Sequence, residues 1–398
     1  MTTHVDGIGF TDDDAARWPR SIRHIEEAHT ITTSHRTDLE GRYPCVMTHG
    51  SGAVITDLDD HDYLDLTSAF GAVLVGHAEP AVVEAVTAAA ASGNLFYTSA
   101  SPRRLELAQA LLHWFPWGSR VLCFKTGSCA VTAAVRLAQH ATGRQGVLTY
   151  GYHGWHDWHL EAVPEYRLFP SYATGLDGGP EELREVLRRR ADQIGAVVVT
   201  PLPHRYPPEH YQDLNRIAHE HGCAFVLDEV KTGIRAGAGG YTARAGLNPD
   251  AVTVSKGLGN GFPISAVVCR GEMALAHHRS HVWNTYQHEQ TALAAALTTL
   301  DLTQRWDVPG TVAAAGEWVV DQLRGLFTEH GIPLELVGWG PSFELDETDD
   351  SGVRERLQQT LLRHGVFCDV EDDFNISYRL AEQTEVLMER FTAAVRKL

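Results

Sequence analysis

The stretch Ala251–Cys269 reads AVTVSKGLGNGFPISAVVC: an apolar run, a lysine, a glycine-rich loop and a second apolar run. Four apolar or β-branched residues bounded by turn residues predict a buried strand at Ala251–Val254, and Ile264–Cys269 predicts another. Lys256 follows the first strand and precedes Gly257, Gly259 and Gly261, so its amine is placed at a strand end inside a tight loop. A lysine buried there loses charge by desolvation and becomes a nucleophile able to form a Schiff base. A solvated loop lysine is the other reading of this spacing.

Outward from this stretch the same punctuation recurs. Val121–Phe124, Val147–Tyr150, Ala196–Thr200 and Ala224–Leu227 read as further buried strands. Ala130–Ala141, Pro180–Ile194 and Tyr211–His221, with apolar residues every three or four positions, read as the helices between them. This alternation predicts an α/β fold with a mostly parallel sheet flanked by helices. Gly52–Leu66 alternates around an acidic turn and predicts a hairpin feeding a helix at Pro80–Ala91. Downstream, a long helical stretch is expected from Leu293 through Leu326, then strands at Leu334–Val337 and Val366–Val370 with helices at Val353–His364 and Thr384–Lys397. The expected layout is an N-terminal arm over 1–50, a large domain over 51–300 and a smaller α+β domain over 301–398.

Composition narrows the function. The 398 residues are 43% hydrophobic and 9% aromatic, enough for a large core. A formal net charge of −18 opposes binding to nucleic acid or to an anionic membrane surface. No apolar run approaches the ~18 residues a membrane span needs, and the first residues lack the pattern of a secretory signal. A cytoplasmic enzyme is expected, its six scattered cysteines reduced. No metal is expected, because the histidine-rich stretch Tyr152–His159 contains no zinc-ligand spacing.

Two more features belong with Lys256. Asp228 ends the apolar run Cys223–Leu227, where open parallel sheets collect ligand-binding groups. A carboxylate there can keep a pyridinium nitrogen protonated, although a turn or N-cap aspartate would look the same. Thr126-Gly127-Ser128 lies between a strand and the helix from Ala130, so free N–H groups and the helix dipole make an anion site, or merely a helix cap.

In this order the segments resemble the class III aminotransferases of pyridoxal-phosphate fold type I, closest to the glutamate-1-semialdehyde aminomutase-like branch. The carrying motifs are Thr126-Gly-Ser-Cys-Ala, Tyr152-His-Gly, Leu227-Asp-Glu-Val-Lys-Thr-Gly-Ile-Arg, Pro249-Asp and Ser255-Lys-Gly-Leu-Gly-Asn-Gly-Phe-Pro. The resemblance implies pyridoxal 5'-phosphate as cofactor, bound through a Lys256 Schiff base, with Asp228 on the ring nitrogen and Gly127 and Ser128 at the phosphate. It further implies Tyr152 on one ring face, Val230 on the other, and Thr285 reaching the phosphate of a second subunit, hence a homodimer with shared sites. Arg36 is similar to an arginine that accepts a substrate carboxylate, a solvent-facing arginine being the alternative. The implied reaction is ping-pong transfer of an amino group from an amine donor to a carbonyl acceptor. An aminomutase or a non-catalytic homologue is the alternative. Cys129 stands where the family carries a glutamate, and Thr200-Pro201 where it carries Glu-Pro. The segment between Tyr152 and Thr200 is short for the family. These departures open the question of substrate and leave the Lys256 and Asp228 chemistry intact.

Overall fold

The computed structural model describes residues 11–28, 43–96, 99–160, 162–163, 171–349 and 351–398. In chain order the strands are β1 (Met47–Ser51), β2 (Val54–Asp57), β3 (Asp62–Asp65), β4 (Arg120–Phe124), β5 (Gly146–Tyr150), β6 (Ala173–Gly175) and β7 (Ile194–Val199). They continue with β8 (Ala224–Asp228), β9 (Ala251–Val254), β10 (Ser265–Cys269), β11 (Leu334–Gly338), β12 (Ser342–Glu347), β13 (Val366–Phe367) and β14 (Phe374–Asn375).

Seven of these form the central sheet, in the order β4-β10-β9-β8-β7-β5-β6. All pair in parallel except β10, which runs against both neighbours. The length of the connection explains the exception: the residues from Ser255 to Ile264 are too few for a parallel crossover, so β9 must return antiparallel. Every residue of β7, β8 and β9 is buried, which accounts for their continuous apolar runs. Helix Gly127–Thr142 covers one face with small side chains, burying Ala130, Ala134 and Ala138 beside Val131, Val135 and Leu137. It stops at Gly143, whose φ of 69° is a conformation that glycine adopts without strain.

The predicted strands of this sheet and the helices between them are present, with shifted ends. Two expectations need correction. The helical stretch expected through Leu326 is broken: one helix spans Gln290–Arg305 and the next Val308–His330. Asp307 turns the chain with φ 48°, and Pro309, which cannot donate a backbone hydrogen bond, suits the first turn of the new helix. The strand expected at Val366–Val370 is only Val366–Phe367, and it pairs in parallel with β3. The N-terminal hairpin is therefore part of a four-stranded sheet, β1-β2-β3-β13.

The C-terminal sheet β11-β12-β14 reaches the central sheet through a buried cation. Arg235 donates to the carbonyls of Ile376 at 2.7 Å, Gly71 at 3.2 Å and Pro341 at 3.4 Å. Burial lowers the proton affinity of its guanidinium to about 10, which leaves it charged at neutral pH. Nearby, Glu344 of β12 meets His204 at 2.9 Å and Arg205 at 2.5 Å. Burial pushes the Glu344 carboxyl up, but these two partners outweigh it and bring it down to about 2. A depressed carboxyl stabilises the fold above its ordinary range, so this contribution is lost as pH falls from about 5 toward 2.

Replacing the clamp should be costly. Arg235→Met leaves the Ile376 and Gly71 carbonyls without their donor, while Pro341 keeps the Ile376 N–H, and at about 1 kcal/mol for each of the two the expected loss is about 2 kcal/mol. Urea unfolding followed by circular dichroism measures it, and an unchanged midpoint would show that Arg235 does not tie these segments together.

Candidate active site

The carboxyl ends of β4, β5, β7, β8 and β9 open on one edge of the sheet, where ligand-binding groups collect in parallel folds. Strand register then decides which side chains meet. Asp228 ends β8 and pairs across to Thr253 of β9, three residues before Lys256. The Thr253 hydroxyl donates to Asp228 Oδ1 at 3.0 Å, and the Val230 N–H reaches the same oxygen at 3.2 Å. His153 Nδ1 lies 2.9 Å from Oδ2. Asp228 is only 5% exposed, so its carboxylate is removed from water and fixed by these donors.

The histidine is held in turn. The His153 backbone N–H donates to His159 Nε2 at 3.1 Å, which requires that nitrogen to be unprotonated. Burial, and then the neighbouring His153, push the proton affinity of His159 down to about 4, so it is neutral at pH 7 and the acceptor role holds. The Thr200 hydroxyl donates to the Tyr152 carbonyl at 2.7 Å and its oxygen lies 3.2 Å from His153 Nδ1. With both oxygens as acceptors, His153 Nδ1 is assigned as the donor, its N–H facing Asp228.

Lys256 begins the turn after β9 with φ 46°, a left-handed conformation rare for a residue with a side chain. Such a conformation costs about 1–3 kcal/mol and persists only when the surroundings impose it. Here Asn260 pins the loop, accepting from the Val75 N–H at 2.9 Å and donating to the Gly76 carbonyl at 2.8 Å. Burial pushes the Lys256 ammonium below the ordinary lysine range, with Asp372 and Asp228 opposing that fall. The amine is thus disposed to lose its proton.

At the end of β4, the Thr126 hydroxyl caps helix Gly127–Thr142 by accepting from the Cys129 N–H at 3.2 Å. The N–H groups of Gly127 and Ser128, at the start of the helix, have no partner within it. A Cβ added at Gly127 would lie 2.9 Å from Val230 Cγ1, so the glycine is what lets this helix start lie against Val230. Tyr152 is 67% exposed, its ring edge-on to His159 at 5.7 Å.

Hydrogen bonding and packing therefore link Asp228, Val230, Gly127 and, through His153 and His159, Tyr152, while Asp228 also bears on Lys256. Ser128 joins them through its hydroxyl, which accepts from the Trp155 N–H at 3.4 Å. Thr285 is exposed on the stretch before helix Gln290–Arg305, and Arg36 lies outside the described residues. The roles of His153, Thr200 and Thr253 were not assigned from the sequence. Thr253 sits in an apolar run, and only the register turns it toward Asp228. Among the described residues no group of three or more His, Cys, Asp or Glu is placed to hold a metal.

These groups fit pyridoxal 5'-phosphate: a fixed buried carboxylate for a ring nitrogen, a desolvated amine for an aldehyde carbon, and free helix N–H groups for a phosphate. Gly127→Ala should force Val230 and the helix start apart and weaken cofactor affinity by about tenfold, equivalent to ~1.4 kcal/mol. Titrating cofactor-free protein with pyridoxal 5'-phosphate measures this, and wild-type affinity in the variant would contradict the placement.

The family model described as aminotransferase class III matches residues 37–163 and 167–384. The chain is 56% identical over 384 residues to 2'-deamino-2'-hydroxyneamine transaminase from Streptomyces kanamyceticus, covering 96% of this chain and 98% of that protein. It is 29% identical to a glutamate-1-semialdehyde 2,1-aminomutase from Symbiobacterium thermophilum, covering 87% and 85% of the two chains. The fold is similar to that of an omega-transaminase from Sphaerobacter thermophilus, with a TM-score of 0.85 at 23% identity over 96% of this chain and 99% of the other. Buried carboxylate, strand-end lysine and family match agree: the chain belongs to the class III aminotransferases, enzymes dependent on pyridoxal 5'-phosphate.

Proposed function

We propose that this aminotransferase binds its cofactor through Lys256 and transfers an amino group to an oxidised carbon of a saccharide that already bears amines. The observation that carries the catalytic part is the Asp228 carboxylate, fixed by Thr253, Val230 and His153 beside the strand that delivers Lys256. When bound, pyridoxal 5'-phosphate draws electrons from the substrate carbon and stores the amino group between two half-reactions.

The residues divide the remaining work. Asp228 keeps a proton on the ring nitrogen, and His153 keeps Asp228 oriented. Lys256 Nζ takes the proton from the substrate carbon of the donor and returns it on the far side of the transfer. Gly127 and Ser128 offer N–H groups to the phosphate, while Tyr152 and Val230 enclose the ring. Arg36 receives the carboxylate of an amino-acid donor.

A separate donor and acceptor, rather than an internal shift of the amino group, is the reading favoured by the transaminase relative at 56% identity. The same relative suggests the acceptor, since its name specifies a neamine with a hydroxyl in place of an amine. The net charge of −18 and the acidic Asp372, whose charge acts on Lys256, suit a polyammonium substrate.

Each site is completed by a second copy, with Thr285 reaching the phosphate of its neighbour. Trp283 and Tyr286 flank it and are 68% and 61% exposed. Their segment is joined to that of exposed Phe96 by hydrogen bonds from Gln290 and Thr291 to Asn94, which favours a covered apolar surface. Six free cysteines suit a reducing cytoplasm.

Asp228→Asn should lower kcat by ~10²-fold or more while the cofactor remains bound, because a neutral amide no longer holds the ring proton. Steady-state kinetics with an amino-acid donor and oxidised amino sugars, set against simple keto acids as acceptors, tests both parts. Wild-type turnover in Asp228→Asn would contradict the mechanism, and acceptance of keto acids alone would contradict the substrate class.

A further inference from the structure

Lys125 follows β4 and directly precedes Thr126, the cap of the helix whose first N–H groups belong to Gly127 and Ser128. Its ammonium donates to Glu289 Oε2 at 2.6 Å, a bond between segments 164 residues apart in the chain. The two side chains are only 17% and 11% exposed. A charge-assisted bond so far removed from water is strong and little screened by salt.

Glu289 is held in place independently of Lys125. Its carboxylate caps helix Gln290–Arg305, accepting from the Thr291 N–H at 2.8 Å and the Ala292 N–H at 3.2 Å. Its own N–H donates to the Tyr286 carbonyl at 3.1 Å, and the Gln290 N–H donates to the Asn94 carbonyl at 2.8 Å. Burial pushes the Glu289 carboxyl up, but the bonds from Lys125 and Thr291 outweigh it and hold it below the ordinary range, charged at neutral pH. The carboxylate is a fixed post, and the cap is complete without a lysine. What the ion pair adds is a hold on Lys125 and, through the backbone, on the start of helix Gly127–Thr142. That start has little other support from the sheet, where β4 is an edge strand paired with β10 alone. The Ser265 hydroxyl, donating to the Thr126 carbonyl at 2.6 Å, holds the same backbone from β10.

We propose that Lys125 and Glu289 are positioning residues that keep the Gly127 and Ser128 N–H groups aimed at the phosphate of pyridoxal 5'-phosphate. This rests on the reading that those N–H groups hold the phosphate. With its charge matched by Glu289, Lys125 acts by placement rather than as a counter-ion to the phosphate.

The test compares the affinity of the full chain, freed of cofactor, for pyridoxal 5'-phosphate and for pyridoxal, which lacks the phosphate. Lys125→Met and Glu289→Gln should each reduce the preference for the phosphorylated ligand about tenfold, with pyridoxal affinity unchanged. Glu289→Gln keeps an acceptor oxygen for the helix cap, so the fold does not depend on the lost charge. A loss shared equally by both ligands would make the pair merely structural and overturn its role. Tighter binding of pyridoxal 5'-phosphate by Glu289→Gln would make Lys125 a counter-ion and overturn it as well. Gly127→Ala separates the remaining failures. A wild-type preference there overturns the reading of the phosphate site itself, whereas a preference lowered in Gly127→Ala but unmoved in both pair variants overturns the role of Lys125 and Glu289 alone.

Discussion

The carboxylate of Asp228 is almost shut off from water, and the arrangement of the site depends on its being held and aimed there. A buried carboxylate needs hydrogen-bond donors in place of the water it has lost. Thr253, the Val230 backbone and His153 supply them, each from a different segment. Because these donors occupy parts of both oxygens, the carboxylate cannot rotate without breaking at least one of them. Each donor depends on the fold. Thr253 needs the β8–β9 register, Val230 needs the turn after β8, and His153 needs the edge shared by β5 and β7.

The same constraint reaches outward. The return from β9 to β10 places Lys256 beside Asp228, and Asn260 holds that return against Val75 and Gly76. Arg235, on the segment that begins with Asp228, ties the site to Gly71, Pro341 and Ile376. Lys231 on that segment meets Asp373 just ahead of β14. The motif Asp228-Glu-Val-Lys-Thr-Gly-Ile-Arg thus contributes a fixed buried carboxylate, the Val230 side chain that lies against Gly127, and two cationic ties to the C-terminal part of the chain. Glu229, between them, caps helix Gly240–Arg244 by accepting from the N–H groups of Tyr241 and Thr242. Few of its positions are free to change.

Much of this was legible because it is local. Apolar runs bounded by turns marked the central strands, and glycines after Lys256 marked the loop that holds it. Asp228 was readable because a carboxylate at the end of an apolar run stands out. Features that depend on pairing between distant segments were not readable. Thr253 looks like any β-branched strand residue until the register sets it against Asp228. Thr200 was noticed only as a departure, yet its hydroxyl supports the Tyr152 carbonyl and the His153 ring. Arg235 was part of a motif, but its carbonyl partners lie more than 100 residues away in the chain. Val366–Phe367 joins β3 across some 300 residues, a pairing that no local pattern announces.

The assignment of Lys256 as the cofactor-bearing residue is the claim on which the others stand, and Lys231 is the natural competitor for that role. Treating the holoenzyme with borohydride, which fixes the cofactor to whichever amine carries it, and locating the modified peptide by mass spectrometry decides between them. The account predicts the cofactor mass on Lys256 with none on Lys231. The mass on Lys231, or no modified lysine in a protein that shows the visible band, would contradict it.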